Sequence, residues 1–244
     1  CHKIAVLRQP LIFQMTEVNN MALAKIEAWG LSALGQKIPL FYAPKLSWPQ
    51  LKNPLLLIGG MHGDEPEGVA LAESCKTWLE NEPKVHHSPW ILIPCINPDG
   101  YHKNLRTNGH GVDLNRNFPS HNWSPEAKAP RYSPGPKANS EPEIQALSDL
   151  ILQTRPRLII HFHSWKPCIV CTGKPARPFA QFLAASSKFA IVDDIGYPTP
   201  GSLSQFAWHD HQIPVICTED EEHRNPNLPW QRFGEGLKKI ILNL

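Results

Sequence analysis

Short apolar runs alternate with amphipathic stretches along this chain. Residues 37–42, 54–59, 90–96, 157–162, 169–172 and 214–218 carry the Ile, Leu and Val density of buried strands. Between them, residues 67–79 place Ala70, Leu71, Cys75, Trp78 and Leu79 on one helical face. Residues 141–154 predict a second helix, with Ser140 and Glu143 at the spacing of a capping box. Further helices are predicted over 176–189, 202–211 and 231–243. Strands alternating with helices in this way predict an α/β fold whose sheet is covered on both faces. One domain is expected over residues 1–244, with residues 1–29 as an N-terminal extension. Residues 119–139 hold five prolines (119, 125, 130, 134 and 136) and no periodicity. A loop of that length in a compact fold is expected to be functional, here as a wall or lid of the site.

Composition narrows the partners. Twenty-four Lys and Arg face 22 Asp and Glu, a formal charge of +2, which supplies no field for nucleic acid or an anionic membrane. The eight tryptophans form no stacking stripe, so no nucleic acid is expected. The longest apolar run, Leu55 to Met61, is far short of the roughly 20 residues of a membrane-spanning helix, so a soluble chain without a membrane span is expected. The 25 prolines in 244 residues are about twice the usual share of about 5%, which predicts many fixed turns.

Six cysteines lie mostly in apolar stretches, as reduced buried thiols do, and imply no disulfide framework. Cys168 and Cys171 make a CxxC without a second pair, too little for a structural metal site. The start CHKIAVLRQP has neither the h-region nor the cleavage site of a signal peptide, and a cytoplasmic location is expected. The alternative is a periplasmic or lipid-anchored protein acylated at Cys1. His86, His87, His209 and His211 are expected at the surface.

The most informative segment is LLLIGGMHGDEPEG, where a buried strand delivers His62 and Glu65 into the loop at its carboxyl end, the place where open α/β sheets bind ligands. Gly63 permits the tight turn that lets both face one metal ion. A catalytic zinc takes three protein ligands and keeps one position open, so a third ligand is needed. RLIIHFHSW offers His161 and His163 on one face of a strand, and His163, nearer the strand end, is the better choice. A third strand ends at PVICTE in Glu219, a carboxylate costly to bury without a task, and so the candidate general base. The polar segment NPDGYHKNLRTNGHGVDLNRNFP carries Arg106 and Arg116 among Asn108, Asn115 and Asn117. Arginine clamps carboxylates and stabilises oxyanions, and these two residues are suited to divide those tasks.

HGDE, NPDG, GVDLNRNFP, FHS and the late TE, in this order, resemble the zinc carboxypeptidase family from about Gly30 to Glu219. Within it, RTNGHGVDLNRNFP, ANSEPEIQAL and GYPTPGS are most similar to the murein peptide amidase branch. The resemblance implies an α/β/α sandwich with a mixed, mostly parallel sheet of about eight strands. It implies one Zn²⁺ held by His62, Glu65 and His163, with Glu219 as general base and Arg106 as oxyanion residue. Asn115 and Arg116 would clamp the substrate carboxylate, and Tyr197 would stand near the family's mobile substrate-binding tyrosine. The implied reaction is hydrolysis of the γ-D-glutamyl–meso-diaminopimelate bond of murein peptides. DEEHRN after Glu219 departs from the family pattern; Asp220, Glu221 and Glu222 are expected on a solvated face, with the alternative that one meets the distal ammonium of diaminopimelate. N-acyl amino acid deacylases of the aspartoacylase and succinylglutamate desuccinylase type share the HxxE and distant His, but NPDG and GVDLNRNFP favour the amidase. A non-catalytic peptidoglycan-binding module is disfavoured by the presence of all three ligands and Glu219.

Overall fold

The computed structural model describes residues 22–48, 51–222 and 225–243. Cys1, and with it the acylation alternative, lies outside the described residues. Eight strands form one sheet: β1 (Ala24–Leu31), β2 (Lys37–Tyr42), β3 (Leu55–Ile58), β4 (Trp90–Ile93), β5 (Leu158–Trp165), β6 (Cys168–Thr172), β7 (Ile191–Val192) and β8 (Val215–Glu221). Their spatial order is β1-β2-β4-β3-β5-β8-β6-β7. The centre, β4-β3-β5-β8, is parallel, and antiparallel pairs join β1 to β2, β2 to β4 and β8 to β6. Parallel strands covered on both faces must be apolar on both, which is why Leu55 to Ile58 and Trp90 to Ile93 are buried without a break.

Among the described residues there are five α-helices, α1 (Pro66–Asn81), α2 (Pro98–Lys103), α3 (Pro142–Thr154), α4 (Arg177–Ser187) and α5 (Leu228–Leu242), of which α1, α3, α4 and α5 cover the sheet. On one face Leu57, Ile160, Phe162 and Ile216 pack with Leu71 and Cys75 of α1, Leu183 of α4 and Phe233 and Leu237 of α5. On the other, Leu56, Ile58, Ile159 and Val215 pack with Ile144, Leu147 and Ile151 of α3 and with Phe118 and Phe206. Each such side chain, fully buried, contributes about 1.5–3 kcal/mol. Period-2 alternation therefore assigns each residue of β5 and β8 to one layer, which fixes where their polar ends point.

Several local expectations change. Ala24–Leu31, placed in the N-terminal extension by its weak apolar signal, is the edge strand β1; its Lys25 and Glu27 side chains are exposed. The helix over 202–211 is realised as π-helical turns at Gln205–Asp210. The capping box is absent: α3 has no side-chain cap, because Glu143 accepts from Ala33 N at 2.8 Å instead. His86 is buried, its Nε2 facing the carbonyl of Leu79 at 3.2 Å. Asp220 is also buried and pairs with Arg232, so the solvated face begins after it. The five cysteines among the described residues are free. Among those residues no helix is long and apolar enough to cross a membrane.

Candidate metal centre and active site

Three parallel strands end beside one another, and the site is built on their carboxyl ends. The chain leaves β3 through Gly59 and Gly60; Gly60 takes a left-handed φ of +64°, the conformation that glycine adopts without strain. Gly63 lies in the expected turn, closed by Glu65 N on the His62 carbonyl at 3.4 Å, and a Cβ there would stand 2.0 Å from the Gly100 carbonyl carbon. The missing side chain lets the His62–Glu65 loop lie directly on the start of α2. On β5, His161 is the register partner of Cys217 on β8, and His163 that of Glu219.

His62 Nδ1 lies 2.7 Å from Glu65 Oε1, His163 Nδ1 lies 2.7 Å from Glu65 Oε2, and the two Nδ1 atoms are 3.0 Å apart. Two imidazole nitrogens and a carboxylate thus converge on one point, all three residues buried. His62 Nε2 faces Asp113 Oδ1 at 3.1 Å, the arrangement that would keep the ring proton on Nε2 and free Nδ1 for a metal ion. Burial opposes ionisation of Glu65, but His62 and His163 outweigh it and hold the carboxyl well below its usual range. Burial lowers the pKa of His163. Burial opposes ionisation of Asp113 as well, but His62 and Arg106 keep it ionised far into acid. Two imidazoles with one carboxylate, outer hydrogen bonds in place, make a donor set that fits a catalytic zinc.

The centre opens into a cavity of about 1170 Å³. Glu219, Arg106, Asn115, Arg116 and Tyr197 all line it, so the structure brings every sequence-predicted site residue to one place. Glu219 is buried, and burial together with the charge of Glu65 pushes its carboxyl up to about 8. Its Oε1 accepts from the Cys217 thiol at 3.3 Å. Arg106 donates from Nε to Asp113 Oδ2 at 2.9 Å and from Nη1 to Glu65 Oε1 at 3.1 Å. It therefore braces the centre with two of its five N–H donors. Arg116 is held by its own Nη1 on the Asn115 carbonyl at 2.6 Å, while Asn115 Oδ1 accepts from Leu203 N at 2.9 Å. Tyr197 is 38% exposed at the rim, edge-on to Trp165 at 5.9 Å.

The proline-rich stretch over 119–139 forms one wall through Lys128, Arg131 and Tyr132. Asn117 Nδ2 ties it down, donating to Pro134 O at 2.7 Å and Lys137 O at 3.0 Å. Asp113 and Cys217 were given no role by sequence reasoning. Asp113 sits in a polar loop, where no periodicity marks it. For Cys217 the signal existed: it alternates with Glu219 on one strand and must share its face.

A two-histidine, one-carboxylate centre beside a buried acid, in a cavity at the carboxyl ends of parallel strands, defines a metal-dependent hydrolase. Residues 15–180 match the family described as zinc carboxypeptidase, and the chain belongs to that family. Zinc is accordingly its cofactor. Murein peptide amidase A of Escherichia coli strain K12 is 34% identical over 191 residues, covering 74% of this chain and 75% of the relative. The Vibrio campbellii protein of the same name is 32% identical over 203 residues, covering 79% and 77%. Among solved structures, murein-tripeptide amidase of Escherichia coli O157 superimposes with a TM-score of 0.72 at 29% identity, over 88% of this chain and 91% of that one. Carboxypeptidase A of Helicoverpa armigera shares the fold, with a TM-score of 0.73 at 20% identity, over 91% and 67%.

Proposed function

We propose that this chain is a zinc-dependent amidase that hydrolyses the γ-D-glutamyl–meso-diaminopimelate bond of murein peptides in cell-wall recycling or remodelling. The observation that carries the reading is the convergence of His62, Glu65 and His163 on one point of a cavity that Glu219 and Arg116 also line. The names of the relatives similar over three quarters of the chain direct it to murein peptides.

Zinc, when bound, supplies a Lewis acid that polarises the scissile carbonyl and acidifies the attacking water. His62, Glu65 and His163 hold it, and Asp113 keeps His62 in the required tautomer. Glu219 takes the proton from the attacking water and passes it to the leaving amine; its raised pKa suits a group that must both accept and return a proton. Those N–H groups of Arg106 not committed to Asp113 and Glu65 stabilise the developing oxyanion. Arg116, with Asn115 beside it, holds the free carboxylate of the leaving residue, which orients the amide for attack. Tyr197 covers the substrate from the rim.

The decisive experiment incubates the pure protein with L-alanyl-γ-D-glutamyl-meso-diaminopimelate, with and without chelator. Release of diaminopimelate that stops on chelation and returns with zinc is expected. No release from metal-loaded protein would refute the reading. A cytoplasmic site of action is part of the proposal, and recovery of a Cys1-acylated form in membranes would replace it.

A further inference from the structure

One buried polar atom of a residue that lines the cavity has no hydrogen-bond partner. His161 is 2% exposed, its ring lines the cavity, and its Nε2 makes no hydrogen bond. Leaving a buried polar group unpaired costs about 1–3 kcal/mol, so a site that retains one has a use for it.

The metal centre determines what that atom offers. His163 turns Nδ1 toward Glu65 and His62, the side on which the metal is held. A neutral ring that presents its Nδ1 lone pair carries its proton on Nε2, and His163 Nε2 lies 2.9 Å from His161 Nδ1. His163 is therefore the donor of that bond and His161 Nδ1 the acceptor. A ring that accepts at Nδ1 carries its own proton on Nε2. The unpartnered atom is an N–H donor.

Its surroundings leave it the free donor of its row. His161, Cys217 and Val170 stand in one row across β5, β8 and β6, and all three line the cavity. The Cys217 thiol already donates to Glu219, and Val170 is apolar. The row lies two residues deeper along the strands than His163 and Glu219, roughly 6–7 Å below the reacting groups. That depth matches the length of a side chain of several carbons on the leaving amino acid.

We propose that His161 is a specificity-determining residue whose Nε2–H donates to a carboxylate at the far end of the leaving group's side chain. The proposal rests on the amidase reading and gives it a basis for preferring diaminopimelate to lysine, which lacks the distal carboxylate.

The test compares wild type with His161→Phe, which keeps a ring without a donor, and His161→Gln, which keeps an N–H. Substrates are the γ-D-glutamyl tripeptides ending in meso-diaminopimelate and in lysine. For His161→Phe with zinc retained, the ratio of kcat/KM for the two peptides is expected to fall about tenfold or more, with partial recovery in His161→Gln. Calorimetry of chelator-stripped protein with free meso-diaminopimelate is expected to show the same loss of affinity, with lysine little changed. Nitrogen-15 spectra of histidine-labelled, zinc-loaded wild type are expected to show His161 protonated at Nε2. An unchanged substrate ratio in a zinc-retaining variant, or a proton on Nδ1, overturns the proposal while leaving the amidase intact. If wild type cleaves neither peptide the amidase reading falls, and the binding and spectroscopic results still decide the role of His161. If His161→Phe fails to fold, His161→Gln and the wild-type spectra carry the test.

Discussion

Two clusters of buried carboxylates in this molecule do opposite things. In one, Asp99 accepts from Ser32 Oγ and Leu34 N, each at 2.9 Å, and from Gln36 Nε2 at 2.6 Å. Beside it Asn108 Nδ2 donates to Glu141 at 2.7 Å and to Glu143 at 3.2 Å. These carboxylates meet donors and fasten the β1–β2 turn to α2 and α3. In the other, Glu65 meets two imidazole nitrogens that also face each other at 3.0 Å. There, beside the Arg106 donor, the inner nitrogens and the carboxylate converge on one point, an arrangement that a metal cation between them would satisfy. Burial and charge are common to both clusters, so neither property distinguishes a brace from a reactive centre; the balance of donors and acceptors does.

The largest effect expected from this contrast is at His163. His163→Ala should reduce bound zinc from about one ion per chain to near zero and bring hydrolysis to background, whereas Asp99→Asn should keep the full complement of metal. Metal analysis by mass spectrometry checks both. Retention of one tightly held ion in His163→Ala would remove the distinction between the clusters.

Next in size is Glu219. Glu219→Gln keeps the shape of the side chain but cannot accept a proton, so turnover should fall about 10²- to 10⁴-fold, roughly 3–5 kcal/mol of barrier. Zinc content and product affinity should stay close to wild type. Steady-state rates beside calorimetric binding separate the two; wild-type turnover with zinc in place would mean that the base lies elsewhere.

How much of this was legible in the sequence follows from where each residue sits. β3, β5 and β8 announce themselves because a parallel central strand must be apolar on both faces, and a polar residue at the end of such a run stands out against it. That is how His62, Glu65, His163 and Glu219 became candidates. β1 did not announce itself: as an edge strand it tolerates Lys25 and Glu27, and its pairing with β2 leaves no strong pattern. The capping box at Ser140 and Glu143 failed because local spacing cannot reveal a partner 110 residues away, the backbone N–H of Ala33. Asp113 and the orphan nitrogen of His161 acquire meaning only once the metal centre fixes which nitrogen of each ring holds a proton. The eight-stranded mixed sheet was implied by family resemblance, since periodicity alone marked six strands.

A third prediction addresses the brace. Asp99→Ala leaves the Leu34 N–H and the Gln36 amide without their buried acceptor, so stability should fall by about 2–3 kcal/mol. The Michaelis constant and turnover of the folded fraction should be unchanged, because the cluster touches neither metal ligand nor cavity wall. Denaturant titration and kinetics on one preparation check this, and loss of zinc affinity alongside stability would show the clusters to be coupled.

The smallest expected effect is at Glu143, and its sign is informative. Burial raises the pKa of this carboxyl against the hydrogen bonds from Ala33 and Asn108 that favour its charge. A carboxyl whose folded pKa lies above its unfolded one binds more protons in the native state. Its contribution to stability is full below the unfolded pKa and is lost as pH rises through the folded pKa. Glu143→Gln keeps an acceptor for Ala33 N and removes the titration, so stability at neutral pH should change by about 1 kcal/mol or less. The difference between wild type and variant should shift toward wild type as the solution is acidified from neutrality through the carboxylate range. Urea midpoints measured across that range decide it. A shift toward the variant on acidification would mean that the hydrogen bonds outweigh burial at Glu143, and that the brace, like Glu65 in the metal centre, holds its carboxylate charged.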